Sequence, residues 1–193
     1  MTPRAARRPP SRASSRTRAA AARRRRPAHA AAHAVGCAVV TVSDTRGPGE
    51  DLSGAELARR LERGGHRVVH RDWVADETAA IRRRVRAALA RRDVDAVLVT
   101  GGTGVAPRDV TPEAVAPLVA RWLPGFGERF RALSHAQVGS AAWLSRAAAG
   151  VANGRLLVIL PGSPAAVRLA ADRLLLPELA HAARLLGRLE PGE

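Results

Sequence analysis

Ala96-Val-Leu-Val-Thr-Gly-Gly-Thr-Gly-Val-Ala-Pro-Arg-Asp-Val-Thr-Pro-Glu-Ala114 is the stretch that sets the fold class. With Asp95 it opens as a strand whose run Ala96 to Val99 carries no alternating polar side chains, the pattern of a strand buried on both faces of a parallel sheet. Gly101, Gly102 and Gly104 follow at once. Glycine allows positive φ and close backbone approach, and the Thr103 hydroxyl can donate between them. Thr111-Pro112-Glu113 then offers a cap, a proline at the first helical position and an acid in the first turn, which together start a helix. A small-residue loop between a strand end and a helix N-terminus suits an anion, although a tight strand-to-helix turn reads equally well from the glycines alone. Two phosphate motifs are excluded. The G-x-G-x-x-G spacing fails, because Val105 and Ala106 follow Gly104, and a Walker A loop needs a lysine that the chain lacks.

Outward from this stretch the pattern repeats. Gly36–Val42 reads as a strand ending in Ser43-Asp44-Thr45, followed by the loop Gly47-Pro48-Gly49. Ser53-Gly-Ala-Glu56 reads as a capping box for a helix with Leu57, Ala58 and Leu61 inside. His66–Val74 is the second strand. Asp76 is placed to cap a helix with Ile81, Val85, Ala88 and Leu89 on its inner stripe. Pro117 should kink or interrupt the helix begun at Thr111, and residues 124–147 look helical in pieces. Asn153-Gly154 is a turn dipeptide before a buried strand, Arg155–Leu160. Pro161-Gly162-Ser163 then opens a last helical region divided at Pro177. Strands alternating with helices predict an α/β fold: a three-layer αβα sandwich with a mostly parallel sheet. Ser43-Asp44, Gly101 to Asp109 and Pro161-Gly162-Ser163 all follow strands, so all should meet at the carboxyl edge, where such sheets bind ligands.

Composition narrows the function. The net charge is +15, but ten of the 32 arginines lie in residues 1–34, which hold no acid. That segment is Arg, Ala, Pro and Ser, and is expected to be a disordered tail preceding a domain over 35–193. It would bind nucleic acid weakly at most, and removing it should leave activity intact. All basic residues are arginine, which closes Schiff-base lysine chemistry. The single Cys37 permits no intrachain disulfide, and its apolar surroundings suggest a buried, reduced thiol in a cytoplasmic protein. No apolar run is long enough to span a membrane, and the histidines show no zinc spacing.

The run from Thr100 to Ala114 resembles the signature of the MogA/MoaB molybdopterin-binding family. Thr41-Val-Ser-Asp-Thr45, Trp73-Val-Ala-Asp-Glu77, Leu123-Pro-Gly-Phe-Gly-Glu128, Leu144-Ser-Arg-Ala147, Ala149-Gly-Val151 and Leu160-Pro-Gly-Ser163 agree with it, over about residues 36–187. The resemblance implies molybdenum cofactor biosynthesis: transfer of AMP from Mg-ATP to the terminal phosphate of molybdopterin, with release of pyrophosphate. It maps two catalytic carboxylates onto Asp76 and Asp109, which would also hold Mg²⁺. Helix capping is the alternative for each. It places Ser43, Asp44, Gly101, Gly102, Thr103, Gly104, Arg108, Ser145, Arg146, Pro161, Gly162 and Ser163 around phosphate, nucleotide and pterin. Arg146 could instead pair ionically at the surface, and Ser163 could simply cap the last helix. The stretches Asp51-Leu-Ser-Gly, Gly65-His66 and Ala149 to Asn153 resemble MoaB more than MogA.

The family further implies a homo-oligomer, trimer or hexamer, with Trp122, Leu123 and Phe126 at an interface, and contact with other molybdenum cofactor enzymes. Three rival readings remain. One is a non-catalytic molybdopterin carrier. Another is the nucleotide-directed domain of competence-damage-inducible proteins. The last is a nucleic-acid binder acting through the tail, although only two Phe, three Trp and no Tyr are available for stacking.

Overall fold

The computed structural model describes residues 34–44 and 47–189. The expected tail therefore lies outside the described residues except for Ala34, and so does Thr45 of the first loop.

Six strands form one sheet in the order β2-β1-β3-β6-β5-β4. They are β1 (Gly36–Val42), β2 (Arg67–Val74), β3 (Ala96–Thr100), β4 (Arg121–Trp122), β5 (Ala148–Ala152) and β6 (Arg155–Leu160). β2, β1, β3 and β6 run parallel, while β5 and β4 add antiparallel at one edge. The helices are α1 (Leu52–Arg63), α2 (Thr78–Ala90), α3 (Thr111–Val115), α4 (Pro124–Val138), α5 (Pro164–Ala170) and α6 (Leu176–Leu185). None is long and apolar enough to cross a membrane.

Strand alternation sorts the core into two layers. Cys37, Val39, Leu98 and Val158 pack on one side with Leu57 and Leu61 of α1, Phe130 of α4, Val167 of α5 and Leu179 of α6. Ala38, Val40, Val97, Val99 and Ile159 pack on the other with Ile81, Val85 and Leu89 of α2 and Val115 of α3. Helices thus cover both faces, and the three-layer α/β expectation holds. Cys37 is fully buried. Desolvation first, then the Asp95 carboxylate, push its thiol up to about 12, against a smaller opposing pull from Arg67, so it is no nucleophile.

Several local expectations change. Asp51, not Ser53, caps α1: its Oδ1 accepts from Gly54 N–H at 2.7 Å. Ser53 lies inside the helix, and Glu56 pairs with Arg59 and Arg60 instead of reaching back to the cap. Hydrogen bonds from those two arginines hold the Glu56 carboxyl down at about 2. Asp76 caps nothing; the residue before α2 is Glu77, which makes no side-chain cap bond. The last helical region is divided just before Pro177, which lies in the first turn of α6. One π turn, Ala171–Leu175, joins α5 to α6, and a wider turn there accommodates a ring that cannot donate to the preceding turn. Pro117 does interrupt α3, which passes into a 3-10 turn at Ala116–Leu118.

β5 and β4 were not foreseen. Asn153 and Gly154, with φ of 48° and 67°, close a tight hairpin between β5 and β6. β5 is Ala-Ala-Gly-Val-Ala, which has almost no β-branched signal. Its Gly150 is required by proximity, since a Cβ there would lie 2.6 Å from Val119 and 2.8 Å from the Arg121 carbonyl.

Candidate functional site

The chain leaves β1 toward β2 on one side and returns to β3 on the other, so β1 and β3 bound a topological switch point. Their carboxyl ends open into the crevice where doubly wound sheets bind ligands. A cleft of about 440 Å³ occupies it. Ser43 and Asp44 line it from the end of β1, Asp76 from β2, Gly101 to Gly104 with Arg108 and Asp109 from β3, and Pro161, Gly162 and Ser163 from β6. Ser145 enters from the segment before β5. All the expected site residues meet here except Arg146, which is not among the lining residues.

The glycine loop is shaped by close packing. Gly101 and Gly102 have φ of 109° and 61°. A Cβ at Gly101 would lie 2.0 Å from the Val42 carbonyl oxygen, and one at Gly102 would lie 2.4 Å from Thr111 Oγ1 and under 3 Å from both Asp76 oxygens. At Gly104 a Cβ would meet Asp109 Oδ2 at 2.6 Å. Neither conformation nor space admits a side chain. The loop is tied down by Gly101 N–H to the Leu160 carbonyl and Thr111 N–H to the Gly102 carbonyl, each 3.0 Å. No acceptor among the described residues takes the amides of Gly102, Thr103, Gly104 or Val105. A row of uncommitted N–H groups at a strand end is an anion cradle.

Three carboxylates face this cradle. Asp44 Oδ1 accepts from Asp76 N–H at 2.7 Å, which fixes the β1 loop to the β2 loop. Asp76 Oδ1 lies 3.5 Å from Val110 N–H. Asp109 Oδ2 accepts from Ala106 N–H at 2.9 Å and caps no helix, because the residue before α3 is Val110. Burial raises the Asp76 carboxyl above its ordinary range; Asp44 and Asp109 raise it further, against the Val110 amide and Arg108. A partly buried carboxyl with two further carboxylates and a guanidinium beside it suits a cation-bridged phosphate. Thr111 Oγ1 is buried over Gly102 without a hydrogen-bond partner among the described residues.

Arg146 and Ser163 go to structural partners. Arg146 Nε donates to the Gly104 carbonyl at 2.8 Å, and its two terminal nitrogens donate to the Asp109 carbonyl and to Glu113. Burial pulls the Glu113 carboxyl upward, but the backbone amide and Arg146 outweigh it, leaving it below its ordinary range. Ser163 Oγ accepts from Ala166 N–H at 3.2 Å and caps α5, while still lining the cleft.

Reasoning from the sequence missed Thr41, Val42, Asp51, Ser53, Trp73 and Leu144 as lining residues. Asp51 Oδ2 accepts from Thr41 Oγ1 at 2.8 Å and from Arg71 at 3.1 Å, so one carboxylate locks the α1 N-terminus to the β1 end. An Asp three residues before Gly54 was the available signal for that cap.

Residues 38–181 match the family model described as probable molybdopterin binding domain. The chain is 49% identical over 151 residues to molybdenum cofactor biosynthesis protein B of Bacillus subtilis strain 168, covering 78% of this chain and 89% of that protein. It superposes on a crystal structure of molybdenum cofactor biosynthesis protein B with TM-score 0.79 and 44% identity, covering 82% and 99% of the two chains. For the tungsten cofactor synthesizing protein MoaB from Pyrococcus furiosus the TM-score is 0.70 and the identity 32%, with coverage of 82% and 100%.

Proposed function

The chain belongs to the molybdopterin-binding domain family of molybdenum cofactor biosynthesis, and on that premise we propose that it adenylylates molybdopterin. A terminal phosphate oxygen of molybdopterin attacks the α-phosphorus of ATP. The bond from that phosphorus to the bridging oxygen breaks, and pyrophosphate leaves. The product carries a new phosphate–phosphate anhydride.

The observation that supports this most is the meeting of uncommitted backbone amides with three carboxylates and Arg108 at one switch point. Joining two phosphate anions needs charge neutralisation and alignment at the reacting phosphorus. The amides from Gly102 to Val105 would take the pterin phosphate, and Arg108 would supply positive charge in a chain without lysine. Asp76 and Asp109 are the residues we assign to Mg²⁺, with Asp44 beside them. The residues fit this ion. The raised Asp76 carboxyl reflects burial first and then the charges of Asp44 and Asp109, which a divalent cation would offset, and Mg²⁺ is usually held by one or two carboxylates together with substrate phosphates. No cluster of three or more metal-binding side chains occurs among the described residues, so its other ligands would come from substrate and water. When bound, the ion offsets charge on the transferring phosphoryl group.

Incubating the protein with molybdopterin and Mg-ATP should give adenylylated pterin and equimolar pyrophosphate. Pterin binding without pyrophosphate would instead make the protein a carrier. We also propose a homo-oligomer, trimer or hexamer. Trp122 and Leu123, on and beside the short edge strand β4, are 45% and 42% exposed, more apolar surface than an isolated edge usually shows. Light scattering that finds a monomer at micromolar concentration would overturn it.

A further inference from the structure

Arg146 holds three carbonyls of the phosphate loop and the acid that follows it. Its backbone N–H donates to the Thr103 carbonyl at 3.0 Å. Its Nε donates to the Gly104 carbonyl at 2.8 Å. One terminal nitrogen donates to the Asp109 carbonyl and the other to Glu113 of α3. Every guanidinium nitrogen thereby has a protein acceptor, and Arg146 is not among the residues that line the cleft.

Carbonyl directions dictate amide directions. A trans peptide is planar, so the N–H of the next residue points opposite to the carbonyl. Holding the carbonyls of Thr103, Gly104 and Asp109 toward Arg146 therefore turns the amides of Gly104, Val105 and Val110 the other way. Val110 bears this out, because its N–H faces Asp76 Oδ1 across the cleft. Thr111 N–H does the same at the Gly102 carbonyl, which turns the Thr103 amide. Glycines are free to adopt many backbone directions, so a loop this rich in them has little direction of its own.

We propose that Arg146 is a positioning residue: its guanidinium fork sets the direction of the Val105 and Val110 amides, beside the Gly104 amide set by its own backbone N–H, so that the end of the loop is shaped to receive the substrate phosphate, and the guanidinium does not contact phosphate itself. The kinetic arm of this inference rests on the adenylylation reading; the structural arm does not. Three roles give different variant patterns. A phosphate-contacting charge would survive Arg146→Lys in large part. A surface ion pair would be lost equally in Glu113→Gln. A fork spanning several acceptors cannot be replaced by one ammonium, yet loses little when only Glu113 is neutralised.

The experiment compares wild type, Arg146→Ala, Arg146→Lys and Glu113→Gln. Amide hydrogen exchange over residues 101–110 should speed up about tenfold in both Arg146 variants, with β1, β3 and β6 unchanged. Inorganic phosphate should bind less tightly to both. Turnover should fall about a hundredfold in both, the scale expected for donors displaced by an ångström, with KM for ATP nearly unchanged. Millimolar guanidinium should restore Arg146→Ala toward wild type, and Glu113→Gln should stay within about threefold of it. Arg146→Lys keeps the charge beside Glu113, so it remains folded and readable should the alanine variant not. Unchanged exchange over 101–110, rescue of turnover by lysine, or an equal loss in Glu113→Gln would each overturn the proposal. A wild type that transfers no AMP would sink the adenylylation reading, while exchange and phosphate binding would still decide the role of Arg146.

Discussion

The two ends of the parallel strands use the same side-chain types and account for them differently. At the amino edge, Asp95 accepts from Gly36 N–H at 2.8 Å and from Arg188 at 3.2 Å. Arg155 donates to the carbonyls of Val94, Asn153 and Arg91 at 2.8–2.9 Å, and His66 accepts from Val35 N–H at 3.3 Å. These are arginines and acids spent on closing strand starts. At the carboxyl edge three carboxylates line one cleft, and among the described residues a row of amides there lacks acceptors and a buried threonine hydroxyl has no partner. Among the described residues the two buried side-chain groups without a partner, Trp73 Nε1 and Thr111 Oγ1, both lie at this edge, and polar groups left open together mark where binding energy is to be gained.

That contrast breaks most sharply at Asp109. Asp109→Asn can still accept from Ala106 N–H, so the loop should keep its shape and the melting temperature should hold. Turnover should fall by roughly 10²–10³-fold, the usual cost of removing one electrostatic contribution to a transition state. Molybdopterin should still bind. Pyrophosphate release at the wild-type rate would show that the open edge is not catalytic through this carboxylate. The amino edge should behave in the opposite way. Arg155→Ala leaves three carbonyls without their donor at a residue only 9% exposed, and unsatisfied buried groups cost about 1–3 kcal/mol each when water cannot reach them. We expect a loss of about 2–4 kcal/mol in urea unfolding, with kcat unchanged well below the melting point. An active-site defect in folded Arg155→Ala would mean that the two edges are coupled.

The carboxyl edge was largely legible because its signal is local. A buried apolar run followed by small residues and a helix start appears three times, and the strand order brings all three together. β5 was illegible because strand identity there comes from pairing with β6 and not from Ala-Ala-Gly-Val-Ala itself. The α1 cap was misread because Ser53 and Glu56 satisfy a pattern that Asp51 satisfies better, being also bonded to Thr41 across the loop. For Arg146 the sequence left two readings open, ligand contact from the resemblance and a surface ion pair. Its partners at Gly104, Asp109 and Glu113 lie 33 to 42 positions away, and no spacing rule reveals where a long guanidinium points.

The smallest expected effect is on stability, at Asp76, and its sign separates a site residue from a structural one. The folded carboxyl titrates above its ordinary value of 3.8, through burial first and then through Asp44 and Asp109. The native state therefore holds this proton more tightly than the unfolded chain does. Stability from this group is present at low pH and is lost as pH rises from about 3.8 through the folded value, after which the deficit is constant. Asp76→Asn removes the deficit while keeping an oxygen for Val110 N–H. The variant should thus melt slightly higher than wild type at neutral pH, by a few degrees at most, and the gap should close on acidification. Asp76 is only partly buried, and solvent screening keeps the effect small. Mg²⁺ with inorganic phosphate should raise the wild-type melting temperature and so narrow the gap at neutral pH, because a ligand of the native state stabilises it by mass action. Calorimetry between pH 4 and 8, with and without these ions, measures both. A variant that melts lower than wild type at neutral pH would show that the Asp76 charge supports the fold, and would move it from the open edge of the molecule to the satisfied one.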